Sequence, residues 1–324
     1  METLELGFLH GQLEERKRRL EGAVASAPRN SDLTILLGEV DSALNRMAEG
    51  TYGLCLECHE SVERDRLLAD PLVRYCLDHL TTLERTALQR DLDLASQVQR
   101  NLLPQNGLCV DCWETSYHFA PLGAVSGDYC DLILSDGRLL FLLGDVSGKG
   151  VAASMFMAQL HALFRSLAGM SLPLGQIVTQ VNRFFCECAL AGQYATLVCG
   201  LAKPNGEIEI HNAGHCPAIV VGRDGVSCVE STCLPLGMFL ETEFSATLVQ
   251  LEAGDTLFLY TDGLSEASNE SDEYGVDRLM TLVRQHAGRQ PAEMIGACLD
   301  DVRAFTNGVP RFDDITVLAM RRCS

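Results

Sequence analysis

From residue 105 onward the chain is cut into short apolar runs by glycine-bearing turns. "RLLFLLGDV", "YATLVCGLA", "EIEIHNAG", "PAIVVG", "DTLFLYTDG" and "DITVLAM" follow one another. Runs of this length, bounded by turn residues, read as β-strands. "KPNGE" and "GRDG" between them carry the residues that tight hairpins need. Helical patterns interrupt the strands over 151–168, about 174–190 and about 291–306. Strands in succession with helices set among them predict an α+β layered sandwich on largely antiparallel sheets.

The first 104 residues have a different texture. Over 32–49, apolar side chains at Leu33, Leu36, Leu37, Val40, Ala43, Leu44 and Met47 keep the three-four spacing of an amphipathic helix. Ser31 or Asp32 can cap its start and Gly50 can end it. Residues 12–25 are also helical in pattern, which suggests a helical hairpin bent at "SAPRNS". A further helix is predicted over 80–103 and stopped by Pro104. Its Leu88, Leu92, Ala95, Gln99 and Leu102 step as in a coiled coil, so the stripe fits either a domain surface or the seam of a homodimer. The expected organisation is a helical region with a metal finger over 1–80, a linker helix over 81–104 and a layered domain over 105–324.

Between the second and third helices lie Cys55-x2-Cys58 and, 17 residues later, Cys76-x2-His79. Two such pairs suit one tetrahedral Zn2+, which takes thiolate and imidazole donors. A structural zinc ion would supply about 10–16 kcal/mol to a segment with little core of its own. Cys109 and Cys112 form another x2 pair, which could replace Cys76 and His79, bind separately, or take no part; no metal role is expected of them.

"EGTYGLCLECHESV" with the following "RL" and "RYC" resembles the DksA/TraR zinc finger over about residues 32–80. That family usually ends on a fourth cysteine, where His79 stands here. The resemblance implies RNA polymerase contact, or else a structural or docking module, since the helical arm is short.

The loop "LLGDVSGKG" raises a choice between a phosphate cradle and a metal site. A P-loop needs four residues between its glycines and Ser or Thr after the lysine. Gly144 and Gly148 are separated by three, and Gly150 follows Lys149, so the cradle fails. Carboxylates answer better. Asp128 and Asp131, Asp145, Asp262, and Asp313 with Asp314 each abut an apolar run. Brought together they would repel unless cations lay between them, and oxygen-only donors suit Mg2+ or Mn2+.

"VSGDYCDL", "GDVSGKGVAASMFMAQL", "ATLVCGLAKPNGEIEIHNAGHCPAIVV", "LPLGMF", "YTDGLSEA" and "FDDITVLAMR", in this order, resemble the SpoIIE/RsbU-type serine/threonine phosphatases of the PPM superfamily over about residues 88–324. The resemblance implies two stacked antiparallel β-sheets flanked by helices, and two Mn2+ or Mg2+ ions that activate a water to hydrolyse phosphoserine or phosphothreonine. It implies that Asp145 bridges the ions with the Val146 carbonyl on one of them. Asp262 and Asp313 hold the other, and Asp128 ligates or orients bound water. It points to Asp313 rather than Asp314, and to a phosphorylated signalling protein such as an anti-sigma-factor antagonist as substrate. The usual "GGDYYD" reads "SGDYCD" here, with Ser126 and Cys130 at positions that are not expected ligands. Gly127, Gly144 and Gly263 are expected to allow close backbone approach and positive φ. Lys149 either attracts phosphate or is solvated, and His215 is expected to shape a turn. Helices 151–168 and 174–190 carry the stripes Met155, Leu160, Leu163, Leu167 and Ile177, Val181, Phe184, Phe185. A second reading keeps the phosphatase fold as a scaffold and uses the finger to bind transcription machinery. The intact carboxylate set favours the enzyme.

Composition limits the partners. Forty-four acidic against 25 basic residues give a formal charge of −19, which argues against direct nucleic-acid binding. No apolar run reaches the length of a membrane span, and the charged start is unlike a signal peptide. Fourteen cysteines in such a chain suggest metal binding and buried thiols in a cytoplasmic protein. Cys130, Cys199, Cys228, Cys233 and Cys298 are expected to pack as small hydrophobes.

Overall fold

In the computed structural model the described residues are 3–26, 31–80, 82–135, 137–170, 172–188, 192–223, 225–269 and 271–323. They fall into two compact units, Met1–Asp91 and Leu92–Ser324.

The first unit opens with α1 (Thr3–Ser26) and α2 (Ser31–Ala48), which pack on each other. The expected bend at "SAPRNS" falls on 27–30, outside the described residues. α2 stops where Gly50 takes φ 72, as its position after the last periodic residue predicts. α3 (Arg64–Ala69) and the 3-10 turn Leu77–His79 belong to the finger. The finger shares its core with the helices: Leu9, Leu13, Val40 and Ala43 bury together with Tyr52, Cys55, Val62, Leu67 and Cys76. The segment is therefore less bare of apolar support than its length alone suggests. α4 (Thr82–Leu102) runs from this unit into the second.

In the second unit the chain forms β1 (Cys109–Val110), β2 (Trp113–Ala120), β3 (Asp128–Ser135) and β4 (Arg138–Val146). Next come α5 (Gly150–Ala168), α6 (Leu174–Cys188), β5 (Ala195–Ala202), β6 (Glu207–Ala213), β7 (Ala218–Gly222), β8 (Gly225–Val229), β9 (Thr247–Gln250) and β10 (Thr256–Tyr260). α7 (Asp262–Ser265), α8 (Val276–Gln285), α9 (Pro291–Thr306) and β11 (Ile315–Arg322) complete it. The strands make two antiparallel sheets, in order β1-β2-β11-β10-β7-β8 and β3-β4-β5-β6-β9. The tight hairpin at "GRDG" pairs Gly222 with Gly225, while its Asp224 lies outside the described residues.

Why these strands are apolar on both faces follows from period two. On β4, Leu140 and Leu142 join the core under α5 and α6, while Leu139, Phe141 and Leu143 join the core between the sheets. On β11, Leu318 and Met320 face the other sheet, and Ile315, Val317 and Ala319 face the third core, under α8 and α9. The result is four layers: helices, sheet, sheet, helices. Phe141 is fully buried, so truncation to alanine there would cost about 3–5 kcal/mol.

Two expected stripe positions fail. α5 buries Ala153, Met157, Leu160, Phe164 and Leu167, a four-three-four-three row that leaves Met155 off it and 68% exposed. On α6, Phe185 is buried and Phe184 lies 44% exposed. Three thiols expected in the core, Cys130, Cys199 and Cys298, are buried, whereas Cys228 and Cys233 are half-buried. None of the fourteen is in a disulfide. Among the described residues no helix is long and apolar enough to cross a membrane.

Candidate active site and zinc centre

β3 begins and β4 ends at the same edge of one sheet, and their register sets Asp128 directly opposite Asp145. In the other sheet β10 and β11 are neighbours. Asp262 follows β10 at the head of α7, and Asp313 precedes β11. The four predicted carboxylates therefore lie at one end of the stacked sheets, near enough to influence one another's ionisation, though among the described residues no three of them bring oxygens as close together as the finger's donors. Burial first, then the charges of Asp262, Asp313 and Asp314, push Asp145 up to about 7 against the pull of Lys149. Burial and Asp313 raise Asp262. Burial and Asp145 raise Asp128 well above the usual carboxylate range, although hydroxyls of Thr316 and Thr261 pull it down.

Those hydroxyls fix the Asp128 side chain. Thr261 Oγ1 donates to its Oδ2 at 3.2 Å, and Thr316 Oγ1 donates to the same oxygen. Thr316 N donates to Thr261 Oγ1 at 2.9 Å, which locks the pair between β10 and β11. One carboxylate oxygen is thereby committed, and Oδ1 is left without a protein donor among the described residues.

Close backbone approach makes the convergence feasible. A Cβ on Gly127 would lie 2.8 Å from the Val146 carbonyl oxygen and 3.1 Å from Asp145 Oδ1. One on Gly263 would overlap the Asp314 carbonyl and come within 3.2 Å of Asp313 Cβ. The expected positive φ is found at none of Gly127, Gly144 and Gly263. Space, not backbone handedness, is what these glycines supply.

Two aspartates of the acidic segments do other work. Asp131 is three residues after Asp128, and strand alternation turns it to the opposite face. There it is fully buried and accepts two hydrogen bonds from Arg165 of α5, at 2.9 and 2.7 Å, with His161 Nε2 at 3.6 Å. Asp314 accepts from Leu122 N at 2.5 Å and from Ser126 Oγ at 2.6 Å. It braces the loop before β3 while Asp313 faces the cluster. Lys149 is 57% exposed, and its Nζ donates to Asp313 Oδ2 at 2.9 Å and to Phe312 O at 2.6 Å, so it is not only solvated. His215 is buried, with Nδ1 2.8 Å from Thr196 Oγ1 and its own N–H donating to Asn212 Oδ1. Burial lowers it to about 4, so it is neutral at pH 7.

The sequence alone did not reveal the residues that hold this site. Ser126 Oγ accepts from Asp128 N at 3.0 Å while donating to Asp314. Gln99 of α4 donates to Ser126 O at 2.7 Å and accepts from Ser126 N at 3.0 Å. Gln99 is buried, and Leu102 packs at the edge of the core under α5 and α6. The lower half of the α4 stripe thus faces its own domain. A polar residue in an apolar stripe was the available signal. Leu94 and Val98, off that stripe, are 60% and 54% exposed.

The finger brings all four predicted ligands together. Donor atoms of Cys55, Cys58, Cys76 and His79 lie within 4.8 Å of one another. Cys58 Sγ and Cys76 Sγ are 3.7 Å apart, and Cys76 Sγ is 3.2 Å from His79 Nδ1. Two sulfurs each about 2.3 Å from a tetrahedral ion would be separated by about 3.8 Å, so the donor set fits zinc. The first pair sits on a tight turn: Leu54 bridges Ser61, Cys55 N donates to Glu60 O, and His59 takes φ 59. Burial would raise the Cys55 thiol, but hydrogen bonds from the Cys58, Cys76 and Glu57 backbone outweigh it and bring it down to about 6. Cys109 and Cys112 lie in the other unit and are not needed to complete this set.

Stacked antiparallel sheets between helix pairs, with acidic residues at one end, define a domain of the PP2C class. The SiaA-PP2C domain of Pseudomonas aeruginosa has the same fold, with TM-score 0.64 and 19% identity over 73% of this chain and 97% of that one. The profile of Stage II sporulation protein E (SpoIIE) matches residues 135–323, and the chain belongs to that family. The prokaryotic dksA/traR C4-type zinc finger profile matches residues 50–78. Protein IcfG of Synechocystis sp. is 29% identical over 72% of this chain, which spans 41% of that protein's length. The phosphoserine phosphatase RsbU of Bacillus subtilis is 22% identical over 72% of this chain and 71% of its own.

Proposed function

We propose that the protein is a metal-dependent protein serine/threonine phosphatase acting on a bacterial signalling protein. The observation that carries this is the convergence of Asp128, Asp145, Asp262 and Asp313, from four chain segments, with Lys149 as the one cation bonded to the set among the described residues. So much crowded negative charge is costly, and cations that share it would offset the cost. The donors are all oxygens, which fits Mn2+ or Mg2+. Asp145 and the Val146 carbonyl would hold one ion, and Asp262 and Asp313, with Asp145 between, the other. Such ions would supply charge stabilisation for the phosphoryl group and an attacking water at neutral pH. Asp128 would orient that water through its free oxygen, its other oxygen being fixed by Thr261 and Thr316. Lys149, at the rim, would release Asp313 and turn toward the arriving phosphate.

A phosphorylated anti-sigma-factor antagonist, or a protein like it, is the substrate class we favour, on the strength of the relationship to a phosphoserine phosphatase. The zinc finger and α4 serve in this reading as the regulatory or docking module. Gln99 supports it, because it ties α4 to the loop that carries Ser126 and Asp128. Pairing of two chains along α4 would cover Leu94 and Val98. Contact of the finger with RNA polymerase is a further docking role. Fourteen free thiols suit a cytoplasmic setting.

The test is hydrolysis of p-nitrophenyl phosphate and of a phosphoserine protein in Mn2+, with Asp145→Asn as control. Activity that needs the ion and vanishes in the variant is expected. A full-length protein inactive with either substrate in both ions, yet retained by RNA polymerase in a pull-down, would favour the scaffold reading.

A further inference from the structure

Cys109 opens β1, and Cys112 lies in the two-residue turn of the β1–β2 hairpin beside Asp111, which takes φ 49. β11 lies on the other side of β2, pairing Arg321 with Glu114 and Arg322 with Trp113. One residue further, Cys323 N donates to Cys112 O at 2.6 Å. The first and last strands of the unit therefore end together, and three of the fourteen cysteines meet at that corner.

Register also puts Cys109 and Cys323 on one face. Cross-strand partners share a face, and neighbours along a strand alternate. Trp113 is buried in the core between the sheets. Glu114 points the other way, with its partners Cys109 and Arg321, and Cys323 is two residues beyond Arg321. Cys112 is in the turn, and its carbonyl accepts from Cys323 N, which brings the two residues side by side. Cys109 is exposed and the other two thiols are half-buried, so ions can reach them. Burial first, then the charges of Glu114, Cys109 and Cys112, raise Cys323, and Arg321 lowers it. The cation beside Glu114 is Arg321, whose Nε stands 4.0 Å from Glu114 Oε2, at the limit of an ion pair.

We propose that Cys109, Cys112 and Cys323, with the Glu114 carboxylate as fourth donor, form a second zinc site that clasps the two ends of the phosphatase unit. A pair of thiols with two residues between them at a hairpin turn can grip one ion, as in the finger. Thiolates prefer Zn2+ to the hard ions that suit the aspartates, but the aspartates would also take Zn2+, so zinc is loaded in excess Mg2+ and counted against Asp145→Asn as well. Each thiol that binds gives its proton to solvent. Among the described residues only the finger's donors all lie within 4.8 Å of one another, so this second set closes by side-chain rotation as the ion enters.

The experiment counts zinc in the full-length protein after loading and removal of excess. Two ions per chain are expected in the wild type, one in Cys109→Ser/Cys112→Ser/Cys323→Ser and one in Cys58→Ser/Cys76→Ser. Trp113, the single tryptophan, adjoins Cys112 and reports locally. Its fluorescence should respond to Zn2+ in the finger variant and not in the hairpin variant, and an unchanged emission maximum in the latter shows that it has folded. One zinc in the wild type, untouched by the triple substitution, overturns the proposal. So does a Cys112–Cys323 disulfide found by peptide mapping of protein purified without reductant. Neither readout depends on phosphatase activity.

Discussion

At the finger, four donors crowd within 4.8 Å of one another on a segment that contributes Tyr52, Cys55, Val62, Leu67 and Cys76 to a small shared core. In the phosphatase unit, the acidic residues sit at the end of two sheets already filled by three cores of leucine, isoleucine, valine and phenylalanine. On the proposed reading, metal would mean opposite things in these places. The finger's ligands would be part of what folds it. The carboxylates oppose folding through burial and mutual repulsion, and the packed sheets around them carry that cost. One chain would thus carry a site that depends on its metal for shape and a site shaped in advance to receive it.

The largest effect should come from breaking the first. Cys58→Ser/Cys76→Ser removes most of a metal contribution of about 10 kcal/mol. Hydrogen exchange should then show Cys55–His79 unprotected and β4 unchanged. Equal loss in both units would end the contrast. Asp145→Asn should do the reverse. Phosphatase activity should vanish, while the melting temperature of the metal-free protein should rise, because one of the crowded charges is gone. A lower melting temperature would mean that Asp145 is structural, as the finger ligands are.

A third effect is set by pH. His215, with an ordinary value of 6.5, is brought to about 4 in the fold. As pH falls through 6.5 the unfolded chain takes up the proton first, so stability is lost between about pH 6.5 and 4. The loss reaches about 3 kcal/mol at the lower limit. His215→Gln should flatten that slope in denaturant titrations. Ser126→Ala removes the hydroxyl between Asp314 and Asp128 N, at a cost of about 1–3 kcal/mol by the same assay. Lys149→Ala should change stability by less than about 1 kcal/mol, because the pair with Asp313 is half-exposed. It should also tighten Mn2+ binding a few-fold, measured by calorimetry.

Much of this contrast is written in local sequence. The pairs at 55, 58, 76 and 79 have ligand spacing, and glycine turns mark strand ends where acidic residues collect. Parity was also available: Asp128 and Asp131 differ by an odd number, so one strand cannot aim both at the same place. Other features depend on register between distant strands. Ser126 meets Asp314, Thr316 meets Asp128 and Cys323 meets Cys112 only after β11 has settled beside β2 and β10. No short window contains both partners. Met155 and Phe184 failed because an apolar residue within a helical pattern need not lie on its buried row, and a shift of one or two positions turns it outward.

Gln99 grips Ser126 from both sides, donating a hydrogen bond to its carbonyl and accepting one from its amide. Advancing α4 by a single residue would swing that amide about 100° around the helix axis. Both bonds would break together, leaving no position in which one survives. Any pull or twist delivered along the helix would therefore be read as a latch that is shut or sprung, rather than as a dial.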